Sequence, residues 1–276
     1  MNKNIKLQLK IAICSSGFLS MFVIMVIFSL VSFVLSCISE LGNDITSVTS
    51  AEANFFLNGA YNSVSVKIFS IIMPFAACAA FSDSYVADYN DNRLSIILAR
   101  SGEKKYYFSK MITVFLCGSI VIFLPQILNF LLCCIAFPIN STNEYGWDLW
   151  QSHLYDTDYL VGSTTFLFKR LYISSPYLYF ILYMVISSST AGVMAIISYQ
   201  LSFFIRNRVF TISFMFILLN LAGMLPYLQS FNIEYYIYGC YVGGDTPIYF
   251  IITSAIYIVI ALIPTPFALK RLKNCL

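Results

Sequence analysis

The sequence predicts an all-α integral membrane protein of six transmembrane helices with both termini cytoplasmic. Three observations lead there. Apolar runs of about 20 residues recur along the chain, each long enough as a helix to cross roughly 30 Å of hydrocarbon. Only 11% of the 276 residues are Asp, Glu, Lys or Arg, 59% are hydrophobic, and the mean hydropathy is +0.79, which leaves too little charge to cover a soluble surface. The charges also sort by side. With crossings at 11–37, 64–83, 107–136, 176–201, 209–228 and 247–269, every Lys and Arg except Lys67, Lys169 and Arg170 falls on one side. Every Asp and Glu except Asp83, Asp88, Asp91 and Glu103 falls on the other. The basic side is read as the cytoplasm, and dropping one crossing would spoil the sorting.

The first run, 11–37, follows Lys3, Lys6 and Lys10, which hold the amino terminus inside. It exceeds the core of a cleaved signal peptide and is read as a retained helix. The next segment mixes Glu40, Asp44 and Glu52 with Phe55, Phe56 and Leu57, a composition suited to lying partly against the lipid surface. Span 64–83 contains Pro74, which removes a backbone donor and favours a kink. The inner segment 84–106 reads RLSIILAR at its centre. Leu94, Ile97 and Leu98 recur at helical spacing between Arg93 and Arg100, and Ser101-Gly102 supplies a helix end. Such a segment either lies at the membrane surface or docks on a soluble partner.

Span 107–136 is long and contains Pro125, Gln126 and Asn129, so a tilt or bend is expected. The segment after it carries Trp147, Trp150 and Tyr155 near Asp148, Asp156 and Asp158, rings that either anchor the interface or form an outer contact for a ligand. Span 176–201 holds the run Ser187-Ser188-Ser189-Thr190, small hydroxyl residues that let helices approach. Arg206 and Arg208 mark an inner turn, Asn220 lies within span 209–228, and span 247–269 ends at Lys270, Arg271 and Lys273. No internal duplication is evident, and 1–276 is read as a single transmembrane domain.

Catalytic signatures are lacking. No phosphate-binding G-x-x-x-x-G-K-[ST] loop and no H-E-x-x-H occurs, and His153 is the single histidine. No catalytic residues, no metal ligands and no bound cofactor are expected of this chain, which is read as not catalytic by itself. Cys14, Cys78, Cys117, Cys133 and Cys134 lie in spans and read as small packing residues, and of the remaining three only Cys37 and Cys240 lie near the outer face, where a pair could form. No carboxylate lies in the middle of a span, so a driving force supplied from outside the chain is expected. Gln126, Asn129 and Asn220 are the strongest polar candidates inside spans, with Ser188 of the hydroxyl run beside them; they either join helices or line a substrate path.

At the inner segment the chain resembles the membrane subunits of the ABC-2 type of ATP-driven exporters. Pro74 through Phe81, followed by Asp83, resembles the family's small-residue end of span two. Leu94-Ser95-Ile96-Ile97-Leu98 resembles its coupling helix, and Tyr106 with Lys110 the residues that open span three. Ser101-Gly102-Glu103-Lys104 departs from the proline- and arginine-containing turn of many relatives.

The resemblance implies export of a peptide, drug or other amphiphile, including antimicrobial peptides, across a bacterial cytoplasmic membrane. ATP and Mg would be held by a separate cytoplasmic ABC ATPase subunit. That partner would be contacted through Arg93, Leu94, Ile97, Leu98, Arg100, Lys104 and Lys105. A second copy or related permease subunit and membrane lipids complete the expected partners, with no nucleic acid. A non-transporting immunity or sensory protein that binds a peptide or regulates a partner is the competing expectation.

Overall fold

The computed structural model describes residues 3–43, 48–58, 62–139, 164–165, 168, 171, 174–224, 236–237, 241–242 and 247–273. The chain opens with α1 (Lys3–Ile13), an amphipathic helix, and α2 (Ser16–Ser39). The apolar run read as starting at residue 11 is therefore broken at Cys14 and Ser15. Ser15 explains the break: its hydroxyl donates to the Ala12 carbonyl at 2.6 Å and accepts the Phe18 N–H at 3.3 Å. A serine that bonds its own backbone ends one helix and caps the next.

After α3 (Ala51–Asn54) come α4 (Ser63–Phe81), α5 (Ser84–Asn90) and α6 (Leu94–Ser101). Then follows α7 (Glu103–Ala136), with 34 residues. At 1.5 Å per residue it is about 51 Å long, well beyond a hydrocarbon layer of about 30 Å. The remaining helices are α8 (Pro176–Ser202), α9 (Arg208–Met224), α10 (Pro247–Leu262) and α11 (Thr265–Lys273). One two-residue strand pair, β1 (Thr164–Thr165) on β2 (Tyr241–Val242), runs antiparallel with Thr164 opposite Val242. Otherwise the described structure is helical.

Five helices are long and apolar enough to cross a membrane: Ser16–Ser39, Val64–Asn90, Glu103–Ala136, Pro176–Ser202 and Phe250–Lys273. The remaining crossing expected from the sequence falls on α9. It is apolar but has 17 described residues, about 25 Å of helix.

The segment expected along the lipid surface instead folds into the bundle. Residues 51–58 are all buried, with Phe55 and Leu57 fully so. Phe55 packs edge-on against Phe130 and Phe180, with centroids 5.2 and 5.6 Å away, and Phe56 meets Phe28 edge-on at 5.4 Å and Phe69 at a tilt at 5.2 Å. Non-helical backbone is tolerated at such depth only where its polar groups are matched. Here Ala51 N–H donates to the Pro138 carbonyl at 2.9 Å, Asn62 Nδ2 donates to the Ala53 carbonyl at 2.9 Å, and Ser36 Oγ donates to the Asn54 carbonyl at 3.1 Å.

α7 forms the axis, packed by α1, α2, α4 and α8. Its closest approach is to α8 through small residues. A Cβ on Gly118 would sit 2.9 Å from the Ala195 Cβ, and one on Gly192 would sit 2.4 Å from Ser119 Oγ and 2.7 Å from the Phe115 ring. Absent side chains let the two backbones close up, and dispersion contacts then replace the hydrophobic driving force that lipid cannot supply. Gly192→Val should overpack this crossing and cost about 1–3 kcal/mol, read as a lowered melting temperature in detergent. Unchanged melting would mean that the α7–α8 approach is not a fixed contact.

Candidate functional site

At the Lys- and Arg-rich end of the bundle, α5, α6 and the start of α7 form a compact bracket. The turn after α5 places Asn92 in the left-handed region at φ 55°, and Arg93 N–H returns to the Asp88 carbonyl at 3.0 Å. Gly102, at φ 76° and ψ 149°, turns the chain from α6 directly into α7. That φ strains any residue with a side chain, so glycine is required by the sharp joint rather than by crowding.

The bracket is held by a buried cation. Lys110 is 2% exposed, forms an ion pair with Asp88 and donates to the Ser84 carbonyl at 2.9 Å. Tyr106 hydroxyl donates to the same Asp88 carboxylate at 2.8 Å, and the Lys110 ammonium lies 5.2 Å from the Tyr106 ring centroid and 5.7 Å from that of Phe81. A buried charge persists only when paired and hydrogen-bonded, so this group fixes α5 to α7.

The α8–α9 turn clasps the same helix. Arg208 Nε lies 3.1 Å from an Asp83 oxygen, and the Arg206 guanidinium stacks 4.0 Å over the Tyr89 ring while donating to its hydroxyl at 2.6 Å. Nearby, Tyr107 donates to Thr265 Oγ1 at 3.0 Å, Gln200 Nε2 donates to Tyr107 and to the Ala261 carbonyl, and Arg271 donates to the Phe203 carbonyl. Four helices thus meet in one polar joint.

Of the residues picked out for partner contact, the structure turns Leu94 and Leu98 inward, at 4% and 1% exposure, into the continuous apolar core, with Ile97 half-buried against it. Helical geometry requires this once α6 lies on the bundle, since residues three and four apart share a face. Outward stand Arg93, Ser95, Ile96, Ala99 and Arg100, with Lys104 and Lys105 exposed at the start of α7. The apolar residue offered to solvent is Ile96, at 57% exposure. The segment's amphipathy was legible, but the choice of Leu94 and Leu98 assigned its core face to a partner.

The polar residues within spans are engaged inside the protein. Gln126, fully buried, exchanges hydrogen bonds with Ser187 at 2.8 and 3.1 Å, tying α7 to α8. Asn129 Nδ2 donates to the Ser29 carbonyl at 2.8 Å, and its Oδ1 accepts the Phe56 N–H at 3.5 Å. Ser188 donates to Val185 at 3.0 Å and Asn220 to Phe216 at 2.8 Å, both along their own helices. None of the four lines the clefts found at α8 and α10, at α2 and α4, or at α4 and α9. Trp147, Trp150 and Tyr155, with Asp148, Asp156, Asp158, His153, Lys169, Arg170 and Cys240, lie outside the described residues. Among the described residues no group of three or more His, Cys, Asp or Glu is gathered to hold a metal ion.

Sequence reasoning did not single out Glu52, taking it as one acid of a segment lying partly against the lipid surface. Folding the segment into the bundle leaves it 3% exposed, with one oxygen 3.5 Å from Ser50 Oγ and the other without a partner among the described residues. Burial pushes its carboxyl up to about 7 from an ordinary value of 4.5, against a small opposing pull from Ser50. No local signal exposes this, because only the aromatic anchors Phe55 and Phe56 carry the acid inward.

Comparison of the chain with protein-family models, with curated proteins and with solved structures found no match. The class stands on the fold itself: an all-helical protein whose several long apolar helices are those of a multi-pass membrane protein.

Two outcomes follow from these contacts. A carboxyl with a raised folded-state value favours the packed segment in its neutral form, so that stability is full below about pH 4.5 and is lost as pH rises through about 7. Glu52→Gln should flatten this dependence and raise the melting temperature at pH 8; equal pH slopes in both proteins would refute it. Lys110→Ala should leave Asp88 unpaired and cost roughly 3–5 kcal/mol, and adding Asp88→Ala should recover part of that loss. Thermal unfolding of the two variants checks the coupling.

Proposed function

We propose that the chain is the membrane-spanning subunit of an ATP-driven exporter, with the bracket at its basic end as the coupling surface to a separate cytoplasmic ATPase. The observation that carries this reading is the bracket's mechanical form. α6 is a short helix seated on the bundle by Leu94 and Leu98 and joined without slack at Gly102 to α7, which Lys110 and Asp88 in turn pin to α5. A push on its outer face is passed to the helices on either side rather than absorbed by a loop. That face offers Ile96 between Arg93 and Arg100, an apolar tip flanked by cations of the kind that enters a groove in a protein partner.

ATP and Mg belong on the partner, since this chain carries no phosphate-binding loop. The cargo is a peptide, drug or other amphiphile. It is moved by rearrangement of the helices around α7, in a complex with a second copy or a related membrane subunit. The bacterial cytoplasmic membrane is the location that accords with the basic inner end.

The test is purification of the full chain in mild detergent with identification of what accompanies it. An ATPase should co-purify, and its basal hydrolysis should change on reconstitution with this chain. Ile96→Asp, which alters an exposed position, should weaken that association about tenfold or more while melting stays unchanged. Wild-type affinity in this variant would remove α6 from the interface, and a chain that purifies without any ATPase would remove the exporter reading.

A further inference from the structure

Two described carboxyl groups stand at the end of the bundle opposite the bracket, and the fold treats them differently. Glu40 is satisfied: one oxygen accepts the Asn43 amide at 2.8 Å, the other accepts the Thr49 hydroxyl, and Thr49 in turn accepts the Asn54 amide at 2.7 Å. Glu52 is not. It is 3% exposed, with one oxygen 3.5 Å from Ser50 Oγ and the other without a hydrogen-bond partner among the described residues. A carboxylate buried in this way strands a charge, whereas the neutral acid strands only a dipole.

Its surroundings supply no cation. The helix that carries it, α3, packs on α7 and α8. From α7 come Cys133, whose thiol donates to the Asn54 carbonyl at 3.6 Å, and Cys134; from α8 comes Tyr177, whose hydroxyl donates to the Ile139 carbonyl at 2.6 Å. From α2 come Cys37 and Glu40. Lys67 on α4 is exposed and makes no ion pair with it. Among the described residues, then, a proton is what can neutralise Glu52. Burial pushes its carboxyl up to about 7, so that proton is exchanged in the neutral range.

The segment around Glu52 is also the one able to respond. Residues 48–58 are held mainly by single contacts from their neighbours: Ser36 and Cys133 on the Asn54 carbonyl, Asn62 on the Ala53 carbonyl and Asn129 on the Phe56 N–H. α7 and α8 keep their own helical ladders when those contacts part, so a charge on Glu52 is relieved by local opening before the bundle unfolds. We propose that Glu52 is a proton-binding site that latches residues 48–58 onto α7 and α8: the protonated carboxyl lets the segment stay packed, and loss of its proton to water at that end releases it. The closed form binds the proton more tightly than the open one, so opening rises with pH from about 4.5 and levels off above about 7.

The latch goes beyond the ATP-coupled reading and is independent of it, because the purified full chain in detergent suffices for the test. Hydrogen–deuterium exchange in residues 51–58, corrected for the chemical effect of pH, should quicken about tenfold or more between about pH 5 and about pH 8 while the amides of α7 and α8 hold steady. Glu52→Gln, which keeps the shape and carries no charge, should hold exchange in the segment within about twofold over the same range, and Glu52→Asp should retain the rise. Infrared difference spectra should show a protonated carboxyl band that fades over that range in the wild type and is missing from Glu52→Gln. Equal exchange profiles in the wild type and Glu52→Gln overturn the latch. A carboxyl band that titrates while exchange in the segment stays constant overturns it as well, and a rise shared by α7 and α8 marks general unfolding and does the same.

Discussion

Inside a bundle of apolar helices there is no water to complete a hydrogen bond, so each polar group that leaves the helical ladder must be matched by the protein itself. This constraint governs residues 48–58 most severely. The segment exposes carbonyls and amides at depth, and the matching groups come from all around it: Ser36 from α2, Asn62 from the entrance of α4, Asn129 from α7 and the Pro138 carbonyl beyond it. Asn129 does this twice over, since its amide also takes the Ser29 carbonyl. Asn129 and Gln126 spend their amides inside the protein, where lipid offers those groups no alternative partner.

The same scarcity shapes the basic end with charges in place of amides. Lys110 sits too deep for water to stabilise it, so Asp88, Ser84 and the faces of two aromatic rings take over that role. The consequence is directional rigidity. α5 cannot rotate away from α7 without stranding a charge, and the Asp83 and Tyr89 contacts of Arg208 and Arg206 extend that condition to the α8–α9 turn. α6, held instead by two leucines, is the element of the bracket whose displacement breaks no buried polar contact.

The helical class was legible because hydrocarbon imposes a length and a composition that any 20-residue window reveals. The spacing of Leu94, Ile97 and Leu98 revealed an amphipathic helix. Periodicity cannot say which of two partners receives an apolar face, and the nearer one, the chain's own bundle, took Leu94 and Leu98. The break at Ser15 was hidden because a serine between apolar residues reads equally as helix interior or as cap. Glu52 was hidden for a deeper reason: its burial depends on Phe55 and Phe56 meeting Phe28, Phe69, Phe130 and Phe180, contacts between rings far apart in sequence.

The two ends of the molecule are therefore built on opposite terms. At the basic end every buried charge described has its counterpart, and the joint gains from being static. At the far end Glu52 is held by one long contact, and Ser32 by none, within the parts of α2 and the inserted segment that face α4 and α7. α7 is the helix common to both ends, packed against α6 at the bracket and against α3 in the inserted segment. The close approach at Gly118 and Gly192 leaves α7 and α8 little freedom to slide against each other, and Ser29 and Asn129 fasten α2 to α7 as well.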